Sequence, residues 1–262
     1  MLKFFRKIRQ QLLSQNKFNK YLIYAIGEII LVVIGILIAV QINNWNDRRK
    51  DQQEEIILLK SLQRDLHSDM ENIQLRMDRK RAMLTGFIHC LEILSDKREG
   101  TKEEFMQHYE MIMQVDEITL NTTTFNNLQN NGVIKLIRNK RLADSIVAYY
   151  NTDLNGWQSS LREYSRNNFA PYLLSYDFLP EVTFELSNID AELQAYLNAL
   201  PGNSEFSFSG KSLEDYKNNY FIINMLKFKS RNVIGILGEY KALLGDAEQL
   251  DKSIQNHIST YD

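Results

Sequence analysis

The sequence has little of what most folds use to bend, stop or staple a chain. One cysteine in 262 residues, Cys90, excludes an internal disulfide framework and a cysteine-based metal site. Three prolines and 11 glycines are too few for a chain rich in strands and turns, and favour long helices. Neither charge sign dominates: 31 Lys and Arg face 33 Asp and Glu, a net of −2. A nucleic-acid binder usually carries a strong basic excess, so nucleic acid is not an expected partner. Catalytic spacings are missing as well. There is no HExxH, no histidine pair at i and i+4, no Walker loop, no GxGxxG and no GxSxG. The chain is therefore not expected to be an enzyme or to hold a cofactor, and no catalytic or metal-binding residue is nominated.

What is present is unevenly placed. Lys3, Arg6, Lys7, Arg9, Lys17 and Lys20 fall in the first 20 residues, with no acid among them. Residues 21–42, YLIYAIGEIILVVIGILIAVQI, hold one charge, Glu28. The remainder, residues 43–262, has 25 bases and 32 acids, a net of −7. Wound as a helix, the 22-residue apolar segment is about 33 Å long, enough for a hydrocarbon core of about 30 Å. Tyr21 and Tyr24 mark one interface and Trp45 the other. A cleaved signal would have a shorter apolar region with small residues before the cut, whereas this one ends Ile38-Ala39-Val40-Gln41. A retained anchor is expected.

The basic flank keeps the N-terminus in the cytoplasm and sends residues 43–262 across, in a bacterium into the periplasm. In the arm, 1–20, Leu2, Phe5, Ile8 and Leu12 alternate with Lys and Arg. As a helix this arm lies on membrane lipids, apolar side down and bases among the headgroups.

The exported part reads as all-α. Ile56, Met70, Met77, Leu84 and Leu91 occupy one heptad position, interrupted by Gln63. Leu59, Leu66, Ile73, Phe87 and Leu94 occupy the other, interrupted by Lys80. The pattern predicts that the transmembrane helix continues unbroken to about residue 95, as the long helix of an elongated exported bundle. Arg64, Asp65, Glu71, Asp78 and Arg79 fall off this stripe and read as a solvated face. Gln63 and Lys80 at seam positions leave a dimer or trimer through residues 55–94 open.

A turn at Ser95–Gly100 precedes a helix capped by Thr101 with Glu104 three residues on. The segment NTTTFNNLQNNG, 121–132, is rich in residues that favour caps and turns; Phe125 and Leu128 predict one short helix closed by Gly132. From Asn139 a long helical pattern runs to Tyr164. Residues 169–184, with Pro171 and Pro180, read as a loop, and residues 203–211 as a small hairpin. Ser212 caps a last helix over about 213–258, pairing antiparallel with the first and returning the C-terminus toward the membrane.

Three features stand out as candidates. An ionisable group in a span costs on the order of 3 kcal/mol at the helix centre, which singles out Glu28. It follows Gly27, and Gly35 and Ala39 offer small surfaces for close helix contact. Glu28 reads as an interfacial glutamate, a helix-contact residue or a proton carrier. The amide-rich segment supplies interaction candidates Thr123, Phe125, Leu128, Asn131 and Gly132. Cys90 beside the stripe reads as a buried inert thiol or an intermolecular disulfide, and His67 and His89 as surface residues.

The string FFRKIRQQLLSQNKFNKYLIYAIGEIILVVIGILIAVQINNWN resembles the start of an uncharacterised family of single-span inner-membrane proteins of Bacteroidota. The segment TFNNLQNNGVIKLIRNKRLADSIVAYYN is similar to that family's mid-chain pattern. The resemblance implies a lineage, a topology and an emphasis on Glu28 and on Thr123–Gly132. It implies no substrate, reaction or cofactor.

Three functions fit these features. The first is a membrane-anchored scaffold or accessory subunit acting through protein–protein contacts, as a homo-oligomer or with a membrane-protein partner. The second is a periplasmic ligand-binding or sensor domain with a separate output partner. The third is an ion-coupled subunit using Glu28.

Overall fold

The computed structural model describes residues 18–115, 117–154, 156–177, 190–202, 205–207 and 210–261. The basic arm's stripe, Leu2 to Leu12, lies outside them, as do residues 178–184 of the loop expected at 169–184. The protein is all-α, with no strand among the described residues. Helix α1 (Phe18–Leu94) is followed by α2 (Lys102–Tyr109) and a 3-10 turn, Glu110–Met113. Then come α3 (Thr123–Asn130), a 3-10 turn at Val133–Leu136, α4 (Lys140–Tyr150) and α5 (Gly156–Tyr164). A π turn, Ser165–Phe169, leads into α6 (Ala170–Tyr176). Three more helices complete the chain: α7 (Ala191–Asn198), α8 (Leu213–Lys217) and α9 (Tyr220–Ile258). Two compact units divide it, Met1–Lys60 and Ser61–Asp262, and α1 runs through both.

In the first unit α1 is apolar on all sides over residues 29–40. Its large aliphatic side chains from Leu22 to Ile42 are exposed, Leu31 by 72% and Ile23 by 69%. This is the one described helix long and apolar enough to cross a membrane, and no residue of its most apolar window, of mean hydropathy 2.6, is buried.

The second unit is built on α1 and α9. Gln63 Nε2 donates to Asp251 Oδ1 (2.9 Å) and to Gln255 Oε1 (3.4 Å). Further along α1, Phe87, Cys90 and Leu94 share a core with Ile222, Met225 and Val233 of α9. The two stretches are therefore antiparallel, as the length match predicts. Each fully buried Leu, Ile or Phe in this core contributes about 1.5–3 kcal/mol.

One expected heptad position is right and the other is shifted. Leu66, Ile73, Lys80, Phe87 and Leu94 are all buried, Lys80 included. The second buried row is Leu62, Asp69, Met83 and Cys90; of the row expected there only Met77 is buried, while Ile56, Met70, Leu84 and Leu91 are half-buried. The reason is that α1 packs against several helices rather than one partner, which widens its inner face beyond a two-position seam. An apolar-only reading passes over Asp69 because it does not see the hydrogen bonds that make the site habitable.

Both of the other long helices expected from the sequence are broken. The pattern from Asn139 stops at Tyr150, where Asn151 ends α4, and α5 begins only at Gly156. The last helix is interrupted at Asn218 and restarts when the Asn219 side chain accepts from the Ile222 N–H (3.1 Å). Asparagine competes for backbone hydrogen bonds, so a periodic apolar pattern continues across a break that the backbone does make. The loop reading of 169–184 is also corrected, since 170–176 are helical. Pro171 has no N–H to give and would crowd a regular turn behind it, and the preceding turn widens to a π turn. Around the expected hairpin, Glu205–Ser207 form no strand.

Local signals hold where a side chain caps its own helix. Thr101 and Glu104 form the expected capping box, and Ser212 caps as expected, in a box that Asp215 completes. Gly132 has φ 64°, the left-handed position that closes α3. Gly132→Ala should therefore destabilise the fold by about 1–2 kcal/mol through backbone strain alone, because nothing crowds its Cβ position. A circular-dichroism melt of the full chain in detergent checks this. Cys90 is fully buried, its thiol hydrogen-bonded to the Phe105 carbonyl and pushed up to about 12 by burial. At pH 8 the folded chain should resist iodoacetamide and become labelled only on unfolding, as read by intact mass.

Candidate interaction surface

Helix α3 is too short to be stable on its own. Two apolar residues at i and i+3 anchor it: Phe125 and Leu128 are buried, and the Phe125 ring stacks on Tyr150 at 4.7 Å. These two expected contact residues are thus interior anchors. What α3 shows to solvent is Thr123, Asn126, Asn127, Gln129 and Asn130, continued by Asn131 and Gly132. No charged residue occurs between Glu117 and Lys135. The surface is a neutral, amide-rich patch.

The N-terminus of α3 is held from outside. Thr122, its cap residue, makes no side-chain cap bond. Asp65 of α1 takes that place: Oδ2 accepts from the Thr124 N–H (3.0 Å) and Oδ1 from Asn121 Nδ2 (3.2 Å). One turn on, Asp69 Oδ1 accepts from the Asn121 N–H (2.7 Å) and Oδ2 from the Tyr149 hydroxyl (3.3 Å). Asp65 is therefore a docking residue, not part of a solvated face. Asp69 is 2% exposed, and burial raises its pKa against the lowering pull of the Asn121 and Tyr149 hydrogen bonds.

The same device recurs. The Trp157 N–H, in the first turn of α5, donates to the Glu239 carboxylate of α9. Gln158 Oε1 accepts from the Ile118 N–H (3.0 Å), and its Nε2 donates to the Leu154 carbonyl (2.6 Å). Lys229 is fully buried and donates to the Ile112 and Gln114 carbonyls, each at 2.8 Å, at the end of the 3-10 turn after α2. Sequence reasoning missed Asp65, Asp69, Gln158, Lys229 and Glu239. Their only sequence signal was polarity at or beside the helical stripe, and their backbone partners lie 40 to 117 residues away or in elements with no pattern of their own.

A groove of about 280 Å³ between α4 and α9 is lined by Ser145, Tyr149, Thr152, Asp246, Gln249 and Ser253. The Ser145, Thr152 and Ser253 hydroxyls each donate to a carbonyl four residues back, and the Tyr149 hydroxyl to Asp69. His67 lies 3.4 Å from Asp251 and is well exposed, as expected. His89 is half-buried, its ring 5.5 Å from that of His108, a pairing that spacing did not suggest. Among the described residues no group of three His, Cys, Asp or Glu could hold a metal ion. The span candidates lie in the other unit: Gly27 and Gly35 have open space at the Cβ position, Ala39 is exposed and Glu28 is half-exposed.

Removing the docking carboxylate in Asp65→Ala should cost about 1 kcal/mol, the usual worth of a helix cap, and Asp65→Asn less, since an amide oxygen can still accept. Asp69 gives a pH signature. A carboxyl whose folded pKa is raised favours the folded state at low pH, and that contribution is lost as pH rises through the folded value. The melting temperature of the native chain should therefore rise relative to Asp69→Asn as pH falls from 7 toward the ordinary carboxylate value of about 3.9.

No curated protein and no solved structure matches this chain. Residues 28–133 match the model of a family of unknown function (DUF6090), a segment that starts at Glu28 and reaches past Asp65, Asp69 and α3 to the residue after Gly132.

Proposed function

We propose that this chain is a membrane-anchored scaffold or accessory subunit that works through protein–protein contact. Residues 21–42 span the inner membrane of a bacterium of the Bacteroidota type. The N-terminus is cytoplasmic, with its basic arm on lipid headgroups, and residues 43–262 form the periplasmic body. The observation that carries this reading is the exposed apolar run of α1, in which no residue of the most apolar window is buried. Such a surface needs lipid or another apolar helix against it. The six bases before it set the orientation.

Two surfaces are offered to partners. Within the span, Gly35 and Ala39 stand 7 and 11 residues from Glu28, close to whole numbers of helical turns, so the three share one face. Gly27 borders that face. A carboxyl beside small residues suits a close contact with a second span, where it gains a hydrogen-bonding partner in place of lipid. In the body, the neutral face of α3 carries donors and acceptors without charge, fitting a contact that does not rely on steering.

The test is extraction from the native membrane in mild detergent through a small C-terminal tag, with mass spectrometry of everything retained. The expected result is a stoichiometric partner or a homo-oligomer, reduced or lost in Glu28→Gln and Gly35→Leu. A strictly monomeric chain that retains nothing would sink the reading.

A further inference from the structure

The end of the first long helix with the turn after it, residues 88–97, and residues 223–227 of the last helix leave a groove of about 410 Å³, wholly within the second unit. Ile88, Leu91 and Ile223 are among its apolar lining, and Glu92, Lys97 and Lys227 are its charges. Ile88 is 46% exposed. Leu84 and Leu91 stand four before and three after it, on the same helical face, and both are half-buried. On α9, Ile234 is 56% exposed and stands seven residues beyond Lys227, on the face that also carries Ile223. Leu84 and Leu91 are the residues that the register of α1 leaves at the edge of the core. With Ile88, Ile223 and Ile234 they form a strip along two antiparallel helices. Glu92 lies on one wall, Lys227 on the other, and among the described residues neither they nor Lys97 make an ion pair.

We propose that this strip is the contact face between two copies of the chain, related by a two-fold axis parallel to α1 and α9. The proposal rests on the contact reading above and names the partner. A two-fold interface must be self-complementary, because each residue meets the partner of its own partner. An axis along two side-by-side helices turns the α1 wall of one copy onto the α9 wall of the other at the same height. Glu92 of each copy then faces Lys227 of its neighbour, across a floor of Ile88, Leu91 and Ile223. A strip with the same sign on both walls would repel its own copy. The assembled face is a four-helix contact, in which half-buried leucines and isoleucines become interior.

Cross-linking of the full chain in its native membrane tests this. Cys90 is buried, so a single introduced thiol is the only reactive one. Ile88→Cys treated with a short bis-maleimide should give a product of twice the chain mass. Leu75→Cys, 51% exposed on another face of α1, should give none. Adding Glu92→Lys to Ile88→Cys should cut the product at least about tenfold, because a two-fold axis makes each substitution count twice. Adding Lys227→Glu as well should restore it, a recovery that misfolding cannot produce. Equal products from Ile88→Cys and Leu75→Cys, no effect of Glu92→Lys, or a product whose mass shows a different protein would each overturn the proposal. If Ile88→Cys forms no homodimer while extraction yields a stoichiometric partner, the two-fold contact fails and the contact reading stands. If neither appears, both fail.

Discussion

Short helices leave more backbone groups open at their ends than they close along their length, and this constraint shapes the body of the protein. Two of the short helices between α1 and α9 are not finished by their own sequence. Asp65 supplies the cap that Thr122 does not give α3, and Glu239 receives the N–H of the first turn of α5. Lys229 takes the carbonyls at the end of the turn after α2. In each case a charged side chain on a long helix meets backbone groups of a short element, from a fully buried position at Lys229 and from half-buried ones at Asp65 and Glu239. These charges reach from the long helices to the elements between them. They hold the small elements in place, and the small elements make their burial affordable.

That arrangement explains what could be read from the sequence and what could not. Wherever a helix carries its own signals, the reading matches: the Thr101 box, the Ser212 cap, the left-handed Gly132, the run of α1 to Leu94. Periodicity found one buried row of α1 because apolar residues fill it almost completely. It misplaced the other because Asp69 occupies an inner position, and an acid at that position reads as surface unless its partners at Asn121 and Tyr149 are known. The breaks at Asn151 and Asn219 were hidden for a related reason. Apolar spacing is a property of the face that packs, and two helices that share a face can keep the spacing while the backbone between them turns.

The candidate surfaces were legible in part. The amide-rich segment was visible as composition, and the match to a family of unknown function covers it together with the carboxylates that dock it. Which side of it faces out was not visible. Phe125 and Leu128 are its most conspicuous residues and they point inward, so the exposed identity of α3 is carried by asparagine, threonine and glutamine.

The capping of short helices by long ones has a consequence in time. Asp65 precedes α3 in the chain and is ready when α3 is made. Glu239 and Lys229 follow the elements they hold, the latter by 117 residues from Ile112, and the two ends of the body meet only when Asp251 reaches Gln63 across 188 residues. Contacts of such separation form late, because loop closure must precede any gain from them. The order of synthesis therefore makes the turn after α2 and the start of α5 wait longest for their hydrogen bonds, and they are the parts that a chaperone or protease would meet unfinished.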